Sequence, residues 1–165
     1  MDKFSLVLTL YYCEEYRQVI AEIDRWTGWE HQTVEEMLVS SLIEVNDLDR
    51  ASEVIATKLR EETSAEPFAD LNRYMGLIHI KRGNYSLAQD YLQTSLSLGL
   101  KINGDSLHPD IATSYGNIGS VYQLQGNYSS AMNYHQKNLE MQVKVHGDSP
   151  RPDIALSYNN IGAVC

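Results

Sequence analysis

Catalysis needs side chains that attack, ligate or move protons, set at workable spacings. Five histidines are available: His31, His79, His108, His135 and His146. None falls in an HExxH pattern or another metal-ligand spacing. Glu14-Glu15, Glu35-Glu36 and Glu61-Glu62 are paired carboxylates, but adjacent residues diverge on a helix and do not share a substrate. Cys13 and Cys165 sit far apart with no CxxC spacing. No nucleophile elbow, GxGxxG turn or phosphate-binding loop is present. The sequence points away from an enzyme and away from any cofactor or metal. The chemistry to look for is recognition.

The chain has 165 residues, of which 43% are hydrophobic, enough for one packed domain or one short repeat array. Net charge is −9, and it is unevenly spread. Residues 1–70 carry 16 Asp/Glu against 6 Lys/Arg, whereas 71–165 carry 6 against 7. An acidic front half repels nucleic acid and anionic membranes, so neither is expected as a partner. The apolar run "FSLVLTLYYC" at 4–13 is too short to span a bilayer and has no basic leader or small-residue cleavage site. It reads as a buried helix. Two isolated cysteines fit a reducing, cytoplasmic setting.

The elements that would position any recognition surface announce themselves by repetition. "HPDIATSYGNIG" at 108–119 returns as "RPDIALSYNNIG" at 151–162, and ten of the 14 residues at 109–122 recur identically at 152–165. "RGNYSLA" at 82–88 returns as "QGNYSSA" at 125–131, again 43 residues on. Gly76, Gly119 and Gly162 form a third ladder, and the Gly-Asp-Ser triplets at 104 and 147 a fourth. A fixed period of this length is the signature of a solenoid. Within one period, Ile111, Ala112, Tyr115, Ile118, Val121 and Tyr122 are spaced three and four apart, as on one face of a helix. "QGNY" interrupts, and a second amphipathic helix runs over 128–145. Pro109 and Pro152 fall where the first helices begin, a position that tolerates a missing N–H.

A glycine inside a helix costs about 1 kcal/mol against alanine. The ladder at Gly76, Gly119 and Gly162 therefore predicts close approach of the paired helix, with Ala88 or Ala131 as the opposing small residue. His79 takes the place of Tyr122 and reads as packing. Tyr85, Tyr115, Tyr122, Tyr128 and Tyr158 recur at motif positions and read as core. The front half is weaker. "NDLDRASEVI" at 46–55 aligns with "GNYSSAMNYH" and places Ala51 like Ala131; "EEYRQVIAEI" at 14–23 places Val19 similarly. Two degenerate hairpins follow, roughly 3–27 and 33–62, the second opened by a Thr33–Glu36 capping box, with "ETSAEP" at 62–67 as the loop beyond it.

Tyr115, Ile118, Gly119, Tyr122 and Ala131, with Met75, Gly76 and Ala88 one period earlier, resemble the tetratricopeptide repeat. The "HPDIATSYGNIG" and "PDIALSYNNIG" starts and the long second helix resemble its kinesin-light-chain type more specifically. The resemblance implies an all-α fold, a right-handed superhelical solenoid of antiparallel helix hairpins. It divides the chain into two degenerate hairpins (1–65), full repeats at 66–107 and 108–150, and an incomplete one at 151–165. It also implies a non-catalytic scaffold that holds a protein or peptide partner in a concave groove lined by first helices. Mapped onto this sequence, the groove takes Arg73, Tyr74 and Lys81 from one repeat, with Asp70 and Leu77 beside them. Thr113, Asn117, Ser120 and Gln123 come from the next, and Asn159 and Asn160 from the last. An asparagine suits such a place because its amide both donates and accepts.

The sequence stops at "NNIGAVC", at the end of a first helix. The expectation is a fragment of a longer chain, and the alternative to a peptide-binding scaffold is that this array serves as a structural, assembly or regulatory arm of a larger multidomain protein. An apolar stripe left open on the last helix should drive self-association. Appending a helix patterned on 128–145 after Cys165 should then suppress it, as read by sedimentation. A monomer whose residues 152–165 resist hydrogen exchange as well as 109–124 would overturn this expectation.

Overall fold

A computed structural model describes residues 3–25, 32–62, 64–104, 107–146 and 152–163. The described residues form helices and turns, with no strand. In chain order these are α1 (Lys3–Tyr12), α2 (Tyr16–Asp24), α3 (Gln32–Glu44), α4 (Leu48–Glu61), α5 (Ala65–Lys81), α6 (Tyr85–Asn103), α7 (Pro109–Leu124), α8 (Tyr128–His146) and α9 (Pro152–Gly162). The chain divides into two compact units, residues 1–61 and 62–165. In the first, α1 packs on α2, α2 on α3, and α3 on α4. In the second, α5 packs on α6, α6 on α7, α7 on α8, and α8 on α9, while α5 also touches α7.

One turn is used four times. Each hairpin passes through a residue in the left-handed region: Glu14 (φ 61°), Asn46 (φ 64°), Gly83 (φ 75°) and Gly126 (φ 77°). The next residue's N–H then reaches back to a carbonyl five positions earlier. These bonds run from Glu15 to Leu10 (2.9 Å), Asp47 to Leu42 (2.8 Å), Asn84 to His79 (2.8 Å) and Asn127 to Tyr122 (2.9 Å). This closure satisfies carbonyls that a helix end leaves without partners. Glycine and asparagine enter the left-handed region readily, whereas a glutamate there costs on the order of 1 kcal/mol. Because the turn is the same, the phase of the second helix is the same. Five residues past the left-handed residue stand Val19, Ala51, Ala88 and Ala131, and nine past it stand Ile23, Ile55, Leu92 and His135; all eight are fully buried.

The second unit shows what this register packs. Ala88 and Leu92 of α6 meet Ile118 and Val121 of α7, with Tyr85, Tyr122 and Tyr134 around them. The Tyr122 hydroxyl, a polar end on an apolar body, accepts from Gln89 Nε2 at 2.8 Å. Its ring stacks on Tyr134 at 5.4 Å. His79 is a packing residue, stacked on Tyr91 at 5.3 Å and 9°.

The close contact of the glycine ladder is real, but its partner differs from expectation. A Cβ on Gly76 would lie 2.6 Å from Leu92 Cγ, and one on Gly119 would lie 2.7 Å from two atoms of the His135 ring. The opposing side chains are one helical turn beyond Ala88 and Ala131. Helical side chains tilt back toward the N-terminus, so Leu92 and His135 cover the surface above those alanines. The alanines contribute by being small: the Ala88 carbonyl comes within 3.4 Å of the same Gly76 position. At Gly162 an added Cβ would meet nothing within 4 Å.

Other expectations are corrected as well. The helix over 4–13 is not buried: Val7 is, but Phe4 is exposed and Tyr12 is 80% exposed. Tyr128 and Tyr158 are surface residues, at 55% and 59%. Thr33 lies inside α3 and is not its cap, since the helix already includes Gln32. The loop at 62–67 is shorter than expected, because α5 begins at Ala65 and Pro67 sits in its first turn, where a missing N–H is harmless. His146 is helical, closing α8, and His108 is the N-cap of α7. The Gly-Asp-Ser triplets fall largely outside the described residues.

His135 is the odd member of its series, a histidine where the other hairpins have isoleucine or leucine. Neither ring nitrogen has a hydrogen-bond partner among the described residues. Burial holds its pKa below the ordinary 6.5. The unfolded chain therefore binds the extra proton first, and its contribution to stability is full above about pH 7. That contribution is lost as pH falls from 6.5 through the lower folded value. His135→Leu should raise stability by about 1 kcal/mol, by removing unsatisfied polar atoms, and should flatten the loss between pH 7 and pH 5. Some acid sensitivity should remain, since His79 shifts the same way through burial and then the Arg82 charge. Urea melts at the two pH values measure both effects. In the same assay Gly119→Ala should cost about 1–3 kcal/mol by overpacking against the His135 ring, while Gly162→Ala should cost nothing. Equal stability of the two glycine variants would show the α7–α8 register to be wrong.

Candidate functional site

The residues expected to line the groove stand at matched registers of α5, α7 and α9. Tyr74, Asn117 and Asn160 are 43 apart, as are Arg73, Gly116 and Asn159. Lys81, Thr113 and Asn159 are exposed, and Arg73, Tyr74, Asn117, Ser120, Gln123 and Asn160 are half-buried.

On α5 the structure joins Arg73 and Tyr74 to each other and to Asp70. Arg73 Nη2 lies 3.0 Å from Asp70 Oδ1, and Nε lies 3.3 Å from the same oxygen. Its guanidinium carbon sits 4.5 Å from the centre of the Tyr74 ring, a cation–π arrangement. Burial works to lower the Arg73 pKa, but Tyr74 and Asp70 outweigh it and hold the pKa above its ordinary value. The group is a fixed, oriented cation.

On α7 the hydroxyls are partly spent. Thr113 Oγ1 donates to the Pro109 carbonyl at 3.0 Å, and Ser120 Oγ to that of Gly116 at 3.1 Å, each one turn back along its own helix. Those oxygens remain as acceptors only. Lys81, Asn117, Gln123, Asn159 and Asn160 make no side-chain hydrogen bond to another described residue.

The sequence missed one polar clip. Asn138 of α8 is buried. Its Nδ2 donates to the Ala112 carbonyl of α7 at 2.5 Å, and its Oδ1 accepts from the Ser157 hydroxyl of α9. One amide thus ties three helices. Gly116 makes room for it: a Cβ there would lie 3.1 Å from Asn138 Nδ2. Aligning second helices at the 43-residue period, as was done for first helices, pairs Asn138 with Ser95 and Gly116 with Arg73. A small residue faces a large one at each junction, in opposite senses.

Beside Arg73 and Ser95 the structure opens a small cleft between α5, α6 and α7, with a volume of about 30 Å³. Among the described residues, no cluster of His, Cys, Asp and Glu could hold a metal ion, and no helix is long and apolar enough to cross a membrane.

Residues 68–144 match the family model described as tetratricopeptide repeat. No curated protein matches the chain in sequence. Among solved structures, BtubC (BKLC) from P. vanneervenii is similar with a TM-score of 0.70 at 19% identity, over 90% of this chain and 62% of BtubC. The chain thus spans less than two thirds of that protein's length. A putative kinesin light chain with nearly identical TPR-like repeats from Podosopora anserina gives 0.65 at 17% identity, covering 98% of this chain and 83% of the other. MamA gives 0.60 at 15% identity, covering 99% and 87%. Such repeats are in general protein-interaction scaffolds. Residues 68–144 are thus tetratricopeptide repeats, and the chain has the all-α solenoid fold of the kinesin-light-chain-like structures it is similar to.

Proposed function

We propose that this chain is a non-catalytic scaffold that holds an extended peptide segment of a protein partner along α5, α7 and α9. We divide it functionally into two degenerate hairpins over 1–65 and an array over 66–165, with repeats at 66–107, 108–150 and 151–165. The observation that carries the reading is one register used three times: Tyr74, Asn117 and Asn160, with both asparagine amides free of other described residues. An amide that donates and accepts can pair with a peptide main chain without demanding a particular side chain. Selectivity then falls to the residues alongside: the Arg73–Tyr74 pair, Lys81, the acceptor oxygens of Thr113 and Ser120, Gln123 and Asn159. The acidic front half, 16 Asp/Glu against 6 Lys/Arg over 1–70, disfavours nucleic acid and anionic membranes and favours a partner that is neutral or basic. The exposed free thiol of Cys13 fits a reducing compartment, the cytoplasm.

A second reading has one observation in its favour. Tyr158 of α9 is 59% exposed, whereas the matching Tyr115 lies 6.2 Å from Tyr134, with Lys137 over its ring. An open aromatic face on α9 suits contact with a second copy or with another part of a longer protein, as in an assembly or regulatory arm.

The discriminating experiment starts from a partner recovered with the intact chain from its source cell. Asn117→Ala combined with Asn160→Ala should weaken its binding by roughly 0.5–1.5 kcal/mol per lost hydrogen bond, with helicity unchanged by circular dichroism. Tyr158→Ser should leave that affinity alone. The reverse result, insensitivity to the asparagines and loss with Tyr158→Ser, would move the interface to α9.

A further inference from the structure

The two helix junctions of the second unit differ by one exchange of sizes. At the later junction, Gly116 on the first helix leaves space, and the Asn138 amide fills it. At the earlier junction, Arg73 takes the place of Gly116, and Ser95 takes the place of Asn138. Serine is too short to bridge from α6 to α5 and α7, and the cleft lies where the amide would have been. It is lined by Asp70 and Arg73 from α5, Ser95 from α6, and Asp110 and Ser114 from α7.

In this cleft Arg73 is paired with Asp70, and His108 with Asp110, but two serine hydroxyls are unspent. Ser95 is 5% exposed and Ser114 is 3% exposed. Neither hydroxyl makes a hydrogen bond to another described residue. Buried hydroxyls normally find partners. Ser114 is the period-mate of Ser157, whose hydroxyl donates to the Asn138 amide. The earlier junction thus keeps the serine that would greet an amide and lacks the amide.

We propose that the cleft between α5, α6 and α7 receives the carboxamide of an asparagine or glutamine side chain from the bound peptide. This rests on the groove reading, and Arg73 is the residue common to both. The incoming group replaces from outside what Asn138 supplies from inside. Its oxygen accepts from the Ser114 or Ser95 hydroxyl or from Arg73, and its NH2 donates to Asp70 or to a serine oxygen. A carboxylate would have to compete with Asp70 for the Arg73 guanidinium and would meet Asp70 and Asp110 with no donor of its own. An ammonium group could meet Asp70 and Asp110 but brings no acceptor for the Ser95 and Ser114 hydroxyls or for the Arg73 guanidinium. A neutral group with one donor end and one acceptor end is the chemistry that remains.

The test uses the intact, isotopically labelled chain and three probes: the N-methylamides of N-acetyl-asparagine, N-acetyl-aspartate and N-acetyl-alanine. Shifts of the Ser95, Asn103 and Ser114 amides and of the Arg73 Nε–H are followed by NMR titration. The asparagine probe should saturate these signals and bind about fivefold or more tightly than the other two, the worth of a single hydrogen bond. Ser95→Ala, a minimal change, should weaken it by a similar factor. Arg73→Gly with Ser95→Asn rebuilds the Gly116–Asn138 pairing at the earlier junction and should abolish probe binding while the melting temperature holds. Asparagine and alanine probes binding alike would mean a cleft that holds water only, and would overturn the proposal. So would undiminished binding in both variants. The groove reading fails separately, in the Asn117 and Asn160 variants, neither of which lines the cleft.

Discussion

Everything else depends on the hairpin turn. A left-handed residue between the two helices of each hairpin, closed by the same backward hydrogen bond, fixes the phase of the second helix against the first. Once that phase is set, the fifth and ninth residues after the turn must face inward. They are buried at all four turns, whether the turn residue is Gly, Asn or Glu. The energetic logic is economical: backbone groups at the helix ends are satisfied locally, and the apolar residues carry the packing. Where the turn residue is glycine, the first helix also has a glycine seven places earlier, at Gly76 and Gly119. There the helices come close enough that Leu92 and His135 leave no room for a methyl group.

Because each element packs mainly on its neighbours, one junction can change without disturbing the next. The exchange of Arg73 and Ser95 for Gly116 and Asn138 is such a change. So is the exchange of Leu92 for His135, which keeps the volume and surrenders polar satisfaction. Both lie in the second unit, in the repeats where the sequence pattern is strongest. Regularity of the frame permits this local variation.

The frame was legible in the sequence, and the reason is physical. A period of 43 with fixed glycines can be met only by repeated backbone geometry, so hairpin limits such as Pro109–Leu124 and Tyr128–His146 followed closely from the pattern. Side-chain direction was not legible from spacing alone. Ala131 looked like the partner of Gly119, yet the tilt of helical side chains brings His135 there. Apolar character also misled: Tyr128 sits in the first turn of α8 and turns outward, and the run at 4–13 buries one face only. Asn138 escaped notice because a lone asparagine on a long amphipathic helix looks like a solvated residue. Its burial follows from Gly116, a partner 22 positions away. The groove assignment rests on register alone, and the contacts that join Arg73, Asp70 and Tyr74 were not legible from it, since they depend on which rotamer the arginine takes.

Recognition by such an array follows from equivalence of position with difference of side chain. Tyr74, Asn117 and Asn160 occupy one register, and Arg73, Gly116 and Asn159 the next. An extended peptide crossing α5, α7 and α9 would meet in turn a charged aromatic pair, an amide beside a bare glycine, and two amides. The first position would read charge, because the Arg73 guanidinium carbon sits 4.5 Å from the centre of the Tyr74 ring. At the second, the space beside Gly116 is taken by the Asn138 amide, so Asn117 alone would meet the main chain. The third offers hydrogen bonds on two adjacent faces. A ligand that satisfies all three must have a defined direction, since reversing it would put its polar main chain and its apolar or planar groups against the wrong helices. On the proposed reading, directionality would come from the substitutions within the repeat, and strength from the repeat itself.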